Sequence, residues 1–135
     1  MLQRDYLLEV ISQFVEAVSR ALLAARAAQD EPAALEAAGE VEHEVAGLLD
    51  MDPDVAMQLT PDSLVTMMLL SGMGDALAGY VAFALSRAAD VYDRAGDPDT
   101  AGARRAQAEA IAGSFGVDTE EPPEELRPLA GQLDE

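Results

Sequence analysis

Gly96-Asp97-Pro98-Asp99 separates two long runs of helix-forming residues, and that arrangement leaves the chain few ways to fold. Asp75 to Ala95 reads as one helix rich in Ala and Leu, and Thr100 to Ser114 as a second. Glycine lets the backbone reverse, while Asp-Pro sets up the start of the next helix. Small side chains at Ala88, Ala89, Ala101 and Ala108 allow the two antiparallel helices to approach closely. Leu85 and Tyr92 lie two turns apart on the face between them. Residues 75–114 therefore read as a helical hairpin, which is architecture without chemistry.

The rest of the chain extends the same pattern. From Leu2 to Ala28, residues Leu7, Ile11, Phe14, Val18, Leu22 and Ala25 recur every three or four positions, so one face of a long helix is apolar. Polar and charged residues, among them Arg4, Glu9, Glu16 and Arg20, occupy much of the remainder. A stripe running six or seven turns needs an extensive partner surface, and self-association through Leu7, Ile11, Phe14, Val18 and Leu22 would supply one. Pro32 to Leu49 reads as a second helix, with Ala34, Ala38, Val41, Val45 and Leu48 facing inward. Glu36, Glu40, Glu42, His43 and Glu44 are expected mostly off that face. Asp52-Pro53 and Thr60-Pro61 each combine a capping side chain with a first-turn proline. They predict a short helix near 53–58 and another over 61–70.

Residues 64–85 are almost wholly apolar and match the roughly 20 residues of a membrane span. Asp75 sits at the centre of the run, and Ser71-Gly72-Met73-Gly74 interrupts it. A central charge costs at least about 2.5 kcal/mol in a bilayer. Two buried helices, the second capped by Asp75, explain the run better. The body is expected over residues 1–116 as a single helical domain. Residues 117–135 read as an acidic tail interrupted by prolines, able to dock one short helix through Leu126, Leu129 and Leu133.

The hairpin resembles a tetratricopeptide repeat over about 30 residues, carried by Leu85, Ala88, Ala89, Tyr92, Gly96, Asp97, Ala101 and Ala108. Arg105 and Gly113 stand where that repeat usually has an aromatic and a proline. No second copy is visible, and a groove needs about three stacked units. The resemblance therefore implies helix packing more than peptide binding. Asp5-Tyr6, Gly47-Leu48-Leu49-Asp50-Met51-Asp52, Leu59-Thr60-Pro61-Asp62-Ser63-Leu64, Gly72, Asp75 and Ala89-Asp90-Val91-Tyr92 also resemble a family of small all-helical bacterial proteins. That likeness covers about residues 3–115 and implies a repeat-like fold, with no activity and no functional residue to carry over.

Composition excludes several chemistries. The 135 residues carry a net charge of −18, from 26 acids against 8 bases, all of them arginine. Such a surface repels phosphate backbones and anionic membranes, so neither nucleic acid nor membrane is an expected partner. Without cysteine there is no disulfide, thiol nucleophile or thiolate metal site. Glu9 and Glu16 break any apolar leader, which points to the cytoplasm.

The remaining motifs fail on their own terms. Glu40 and His43 have di-iron spacing, but that site needs two such pairs and two further glutamates, and the chain has one histidine. Asp50, Asp52 and Asp54 could open a calcium loop, but Val55 and Pro61 stand where it needs Gly and Glu. Gly74 and Gly79 lack the Lys and Ser/Thr of a phosphate loop. Met57, Met67, Met68 and Met73 suit core packing.

The sequence thus predicts an all-α, antiparallel bundle of five to six helices with a tetratricopeptide-like hairpin at 75–114. It predicts no catalytic or metal residues, no cofactor and no enzymatic activity. The expected function is a scaffold or interaction protein that pairs with itself as a homodimer. A small-molecule or metal-binding helical protein is the alternative.

Overall fold

The computed structural model describes residues 4–119 and 121–134, and of residues 4–7 the backbone. Its described residues form seven α-helices and no strand: α1 (Arg4–Ala27), α2 (Glu31–Leu48), α3 (Pro53–Met57), α4 (Pro61–Leu70), α5 (Asp75–Arg94), α6 (Pro98–Phe115) and α7 (Arg127–Leu133). One 3₁₀ turn, Glu124–Leu126, leads into α7. The fold is all-α, as the sequence indicates. The helix beyond the expected five to six is α7.

The boundaries follow side-chain chemistry. Asp30 accepts from the Ala33 amide (2.9 Å), Asp52 from Asp54 (2.9 Å), Thr60 from Ser63 (3.2 Å) and Asp97 from Thr100 (3.1 Å). Each bond satisfies an amide that the first turn of a helix cannot pair internally. The Asp97 bond starts α6 two residues earlier than expected. One cap is corrected: Gly74 holds the cap position of α5 without a side-chain bond, and Asp75 is the first helical residue. There its carboxylate still complements the positive end of the helix dipole. Gly96 (φ 85°) and Gly116 (φ 69°) end α5 and α6 in the left-handed conformation that glycine adopts freely.

Helix α5 is the axis of the molecule. Every residue from Leu77 to Leu85 is buried, because α6, α2 and α1 pack around α5 and the C-terminal segment touches it at Gly79 and Tyr80. That enclosure accounts for the apolar run the sequence offers as a candidate span. Among the described residues no helix is long and apolar enough to cross a membrane. The α5–α6 hairpin is the most extensive helix pair, and Ala88, Ala89, Ala101 and Ala108 are fully buried in it. Removing side-chain bulk at these positions brings the backbones together.

The stripe on α1 is used inside the chain. Phe14 (2% exposed), Val18 (0%) and Leu22 (1%) belong to the chain's own core, where α1 packs on α2 and α5, so their expected place at an interface with a second copy is corrected. Ala37, Ala38, Val41 and Val45 of α2 are buried in the same cluster. Alanines there let α1 sit close, and the long stripe finds its partner surface without leaving the chain. Ile11 is partly buried against the core, and Leu8 is exposed. The side chain of Leu7 lies outside the described residues.

Phe14→Ala should therefore lower the unfolding free energy by about 3–5 kcal/mol, the range for emptying a buried aromatic site. Leu8→Ala should change it by less than about 0.5 kcal/mol, as an exposed position does. Urea unfolding followed by helical circular dichroism measures both. Equal, small effects would show that α1 does not pack as described.

Candidate functional site

Among the described residues the core holds one cluster of polar side chains, and it lies where α2, α5, α6 and the end of α3 meet. Glu42 of α2, at 8% exposure, faces Arg104 and Gln107 of α6, which are also buried. Arg104 Nε donates to Glu42 Oε2, and Arg104 Nη1 donates to the Met57 carbonyl (3.0 Å) and to Gln107 Oε1 (2.9 Å). Gln107 Nε2 donates to the carbonyls of Met57 (3.2 Å) and Leu59 (3.0 Å). Tyr92 of α5 donates its hydroxyl to Glu42 Oε1 at 2.8 Å. One carboxylate therefore collects a guanidinium and a phenol, and one guanidinium and one amide together serve the end of α3.

Each bond answers a local need. A five-residue helix leaves its last carbonyls without internal partners, and burying them unpaired is costly. Arg104 and Gln107 provide the missing donors from the neighbouring helix. Arginine suits this position because its planar fork reaches several acceptors at once. Among the described residues no buried side-chain nitrogen or oxygen lacks a hydrogen-bond partner.

Burial, together with the bond to Glu42 and its negative charge, pushes the Tyr92 phenol well above its ordinary value of 10.0. Tyr80, buried on α5 and donating to Glu125, is raised in the same direction for the same kind of reason.

The cluster corrects the sequence reading at one residue and adds two. Glu42 was expected off the apolar face of α2, yet it lies one turn from both Ala38 and Ala46, on the buried side. Arg104 and Gln107 carry no motif. Their signal is positional, since Ala101, Arg104, Ala108, Ile111 and Phe115 share one face of α6. Arg105, beside Arg104, points outward and bonds Asp90 (3.1 Å) and Asp93 (2.9 Å) across the hairpin. Leu85, Ala88, Ala89, Ala101 and Ala108 are buried, Tyr92 is partly buried, and Gly96 is exposed in the turn.

The other candidates take ordinary roles. His43 is exposed on α2. Asp50 sits in the turn after α2 with φ 55°, Asp52 caps α3, and Asp54 lies in its first turn. Gly79 lies inside α5, where it packs against Val117 and Pro123 instead of opening a phosphate loop. Met57 and Met68 are core residues, while Met67 and Met73 are partly buried. No three His, Asp or Glu side chains among the described residues converge as a metal ion would require. No family model matches the chain, and no curated protein or solved structure matches it.

A raised phenol contributes stability that is fully present below the ordinary tyrosine value and lost as pH rises above it. The chain has three tyrosines and no tryptophan, so phenolate absorbance isolates them. In alkaline titration Tyr80 and Tyr92 should ionise only as helical structure is lost. Tyr92→Phe should remove one of the two late steps. Ionisation of all three phenols near 10.0 with the helices intact would contradict the geometry.

Proposed function

We propose that this chain is a non-enzymatic scaffold or interaction protein of the cytoplasm whose partner is a second copy of itself. The observation that carries this reading is an exposed apolar pair, Leu69 (59%) and Leu70 (77%), at the end of α4. A two-fold dimer needs only one self-complementary patch, and two adjacent leucines at a helix end supply its apolar centre. Contiguous apolar surface left in water is what marks interaction sites, and these adjacent leucines are the most exposed large apolar side chains among the described residues. The polar groups argue the same way from the other side. Glu42, Tyr92, Arg104 and Gln107 are committed to one another and to backbone, which leaves no nucleophile–base pair among them.

A single tetratricopeptide-like hairpin fits this role as a packing unit. Its inner face is filled by α2 and α4 rather than open to a peptide. With Phe14, Val18 and Leu22 committed to the core, association through α4 replaces the long-helix interface.

Charge gives the reading a sign. Two copies at −18 each repel one another, so salt should strengthen an apolar dimer by screening that repulsion. Light scattering across a salt series should move from 14.2 kDa toward twice that mass. Leu69→Glu with Leu70→Glu should hold the protein monomeric while leaving its helicity unchanged. A monomer at every salt and protein concentration would overturn self-association.

A further inference from the structure

The C-terminal segment, residues 121–134, is attached to the body unlike any other part of the chain. Its two helical pieces are three and seven residues long, and neither has a side-chain cap. Helices that short do not hold themselves together in water. Pro122-Pro123 precedes them and Pro128 interrupts them, so the segment cannot extend into one longer helix.

What fixes it is docking. Leu126, Leu129 and Ala130 are buried in the core cluster, with contacts reaching back to α1. Polar ties among the described residues add to the attachment. Tyr80 of α5 donates to Glu125, Arg26 of α1 donates to the Gln132 carbonyl, and Arg87 of α5 grips Asp134 through two nitrogens at 2.7 and 3.3 Å. Arg87 also lies 5.2 Å from the Phe83 ring centroid, which fixes its stem.

We propose that residues 121–134 form an acid-released latch: an apolar clasp over α1 and α5 held shut by the ties of Glu125 and Asp134 to α5. The latch opens as a unit while the α5–α6 hairpin stays folded, and this holds whether or not the chain self-associates. Opening bares the apolar surface under Leu126, Leu129 and Ala130. While shut, the clasp outcompetes any free segment, because its tether holds it at an effective concentration of about millimolar.

The surrounding charges set the direction of the acid response. The bond from Tyr80 lowers the Glu125 carboxyl, and the bond from Arg87 lowers that of Asp134. Facing Glu125 are Asp75 and Tyr80 from α5, with Asp118, Glu121 and Glu124 along the same cleft. Their mutual repulsion at neutral pH works against closure, yet the net shift of Glu125 is downward. Facing Asp134 are Arg87, Asp90 and Arg94 from α5, with Arg26 of α1 bonded at the neighbouring turn. A carboxyl lowered in the folded state stabilises it above the ordinary carboxylate range. That stabilisation is lost as pH falls through the folded value.

The chain has no cysteine, so one introduced thiol carries a nitroxide uniquely. Gly131→Cys reports the latch and Gly102→Cys the outer face of α6. Both glycines are exposed, and a Cβ at either meets nothing within 4 Å. As pH falls, the spectrum of the 131 label should sharpen while the 102 label stays unchanged and the helical circular dichroism falls by no more than the seven residues of α7. In the 131-labelled chain, Glu125→Gln with Asp134→Asn removes the titrating groups, so the label should be mobile already at neutral pH and the acid transition should be lost. The latch is overturned if both labels mobilise together with loss of helix beyond α7. It is equally overturned if the 131 label never sharpens or the double variant leaves the transition in place.

Discussion

Arg104 and Glu42 face each other inside the core, and the arrangement of the helices depends on that contact. Two opposite charges withdrawn from water must be matched closely, because the desolvation of each ion is several kcal/mol. Here the match is completed by Tyr92, Gln107 and two backbone carbonyls, so each removed water is replaced by a protein partner. Those partners come from α2, α5, α6 and the end of α3. The pair therefore bonds one turn of α6 to one turn of α2, and we assign the register of the two helices to that bond. Leucine and alanine surfaces set the register by shape alone, whereas this cluster adds hydrogen bonds that are satisfied in one register.

Around that junction the structure is graded. The α5–α6 hairpin and the inner faces of α1, α2 and α4 form a closed apolar core with α5 at its centre. Farther out, Arg105 links Asp90 and Asp93 on the surface, the kind of pair that contributes little. At the periphery, residues 121–134 rest on three buried side chains and a few polar ties. Opening should follow the same order, with the segment holding least buried area leaving first.

How much of this was legible in the sequence depends on which kind of signal each residue carried. Asp52, Thr60 and Gly96 mark helix ends through local hydrogen bonding or backbone freedom, which need no tertiary knowledge, and the observed boundaries lie within about two residues of the reading. Phe14, Val18 and Leu22 announced an apolar face. Periodicity alone cannot say whether such a face meets its own chain or another, and here α2 supplies the surface. Glu42 misled because a glutamate among four other polar residues looks solvated. Only the placement of Arg104 on the facing helix makes its burial affordable. Arg104 was hidden for the complementary reason, since its neighbour Arg105 is a surface residue and sequence type does not separate them. Leu126 and Leu129 were legible as apolar, but their docking depends on Tyr80 and Arg87, some 45 and 47 residues earlier than their acidic partners.

The claim that Glu42 and Arg104 act as one unit is tested most directly by a double-mutant cycle with Glu42→Met and Arg104→Met, read by urea unfolding. Each single substitution strands a buried charge and should cost about 3–5 kcal/mol. The double variant removes both charges and should cost much less than the sum, with a coupling toward the upper end of about 0.5–3 kcal/mol. Additive costs, with no coupling between the two positions, would mean that the register of α2 against α6 is set by the apolar contacts alone.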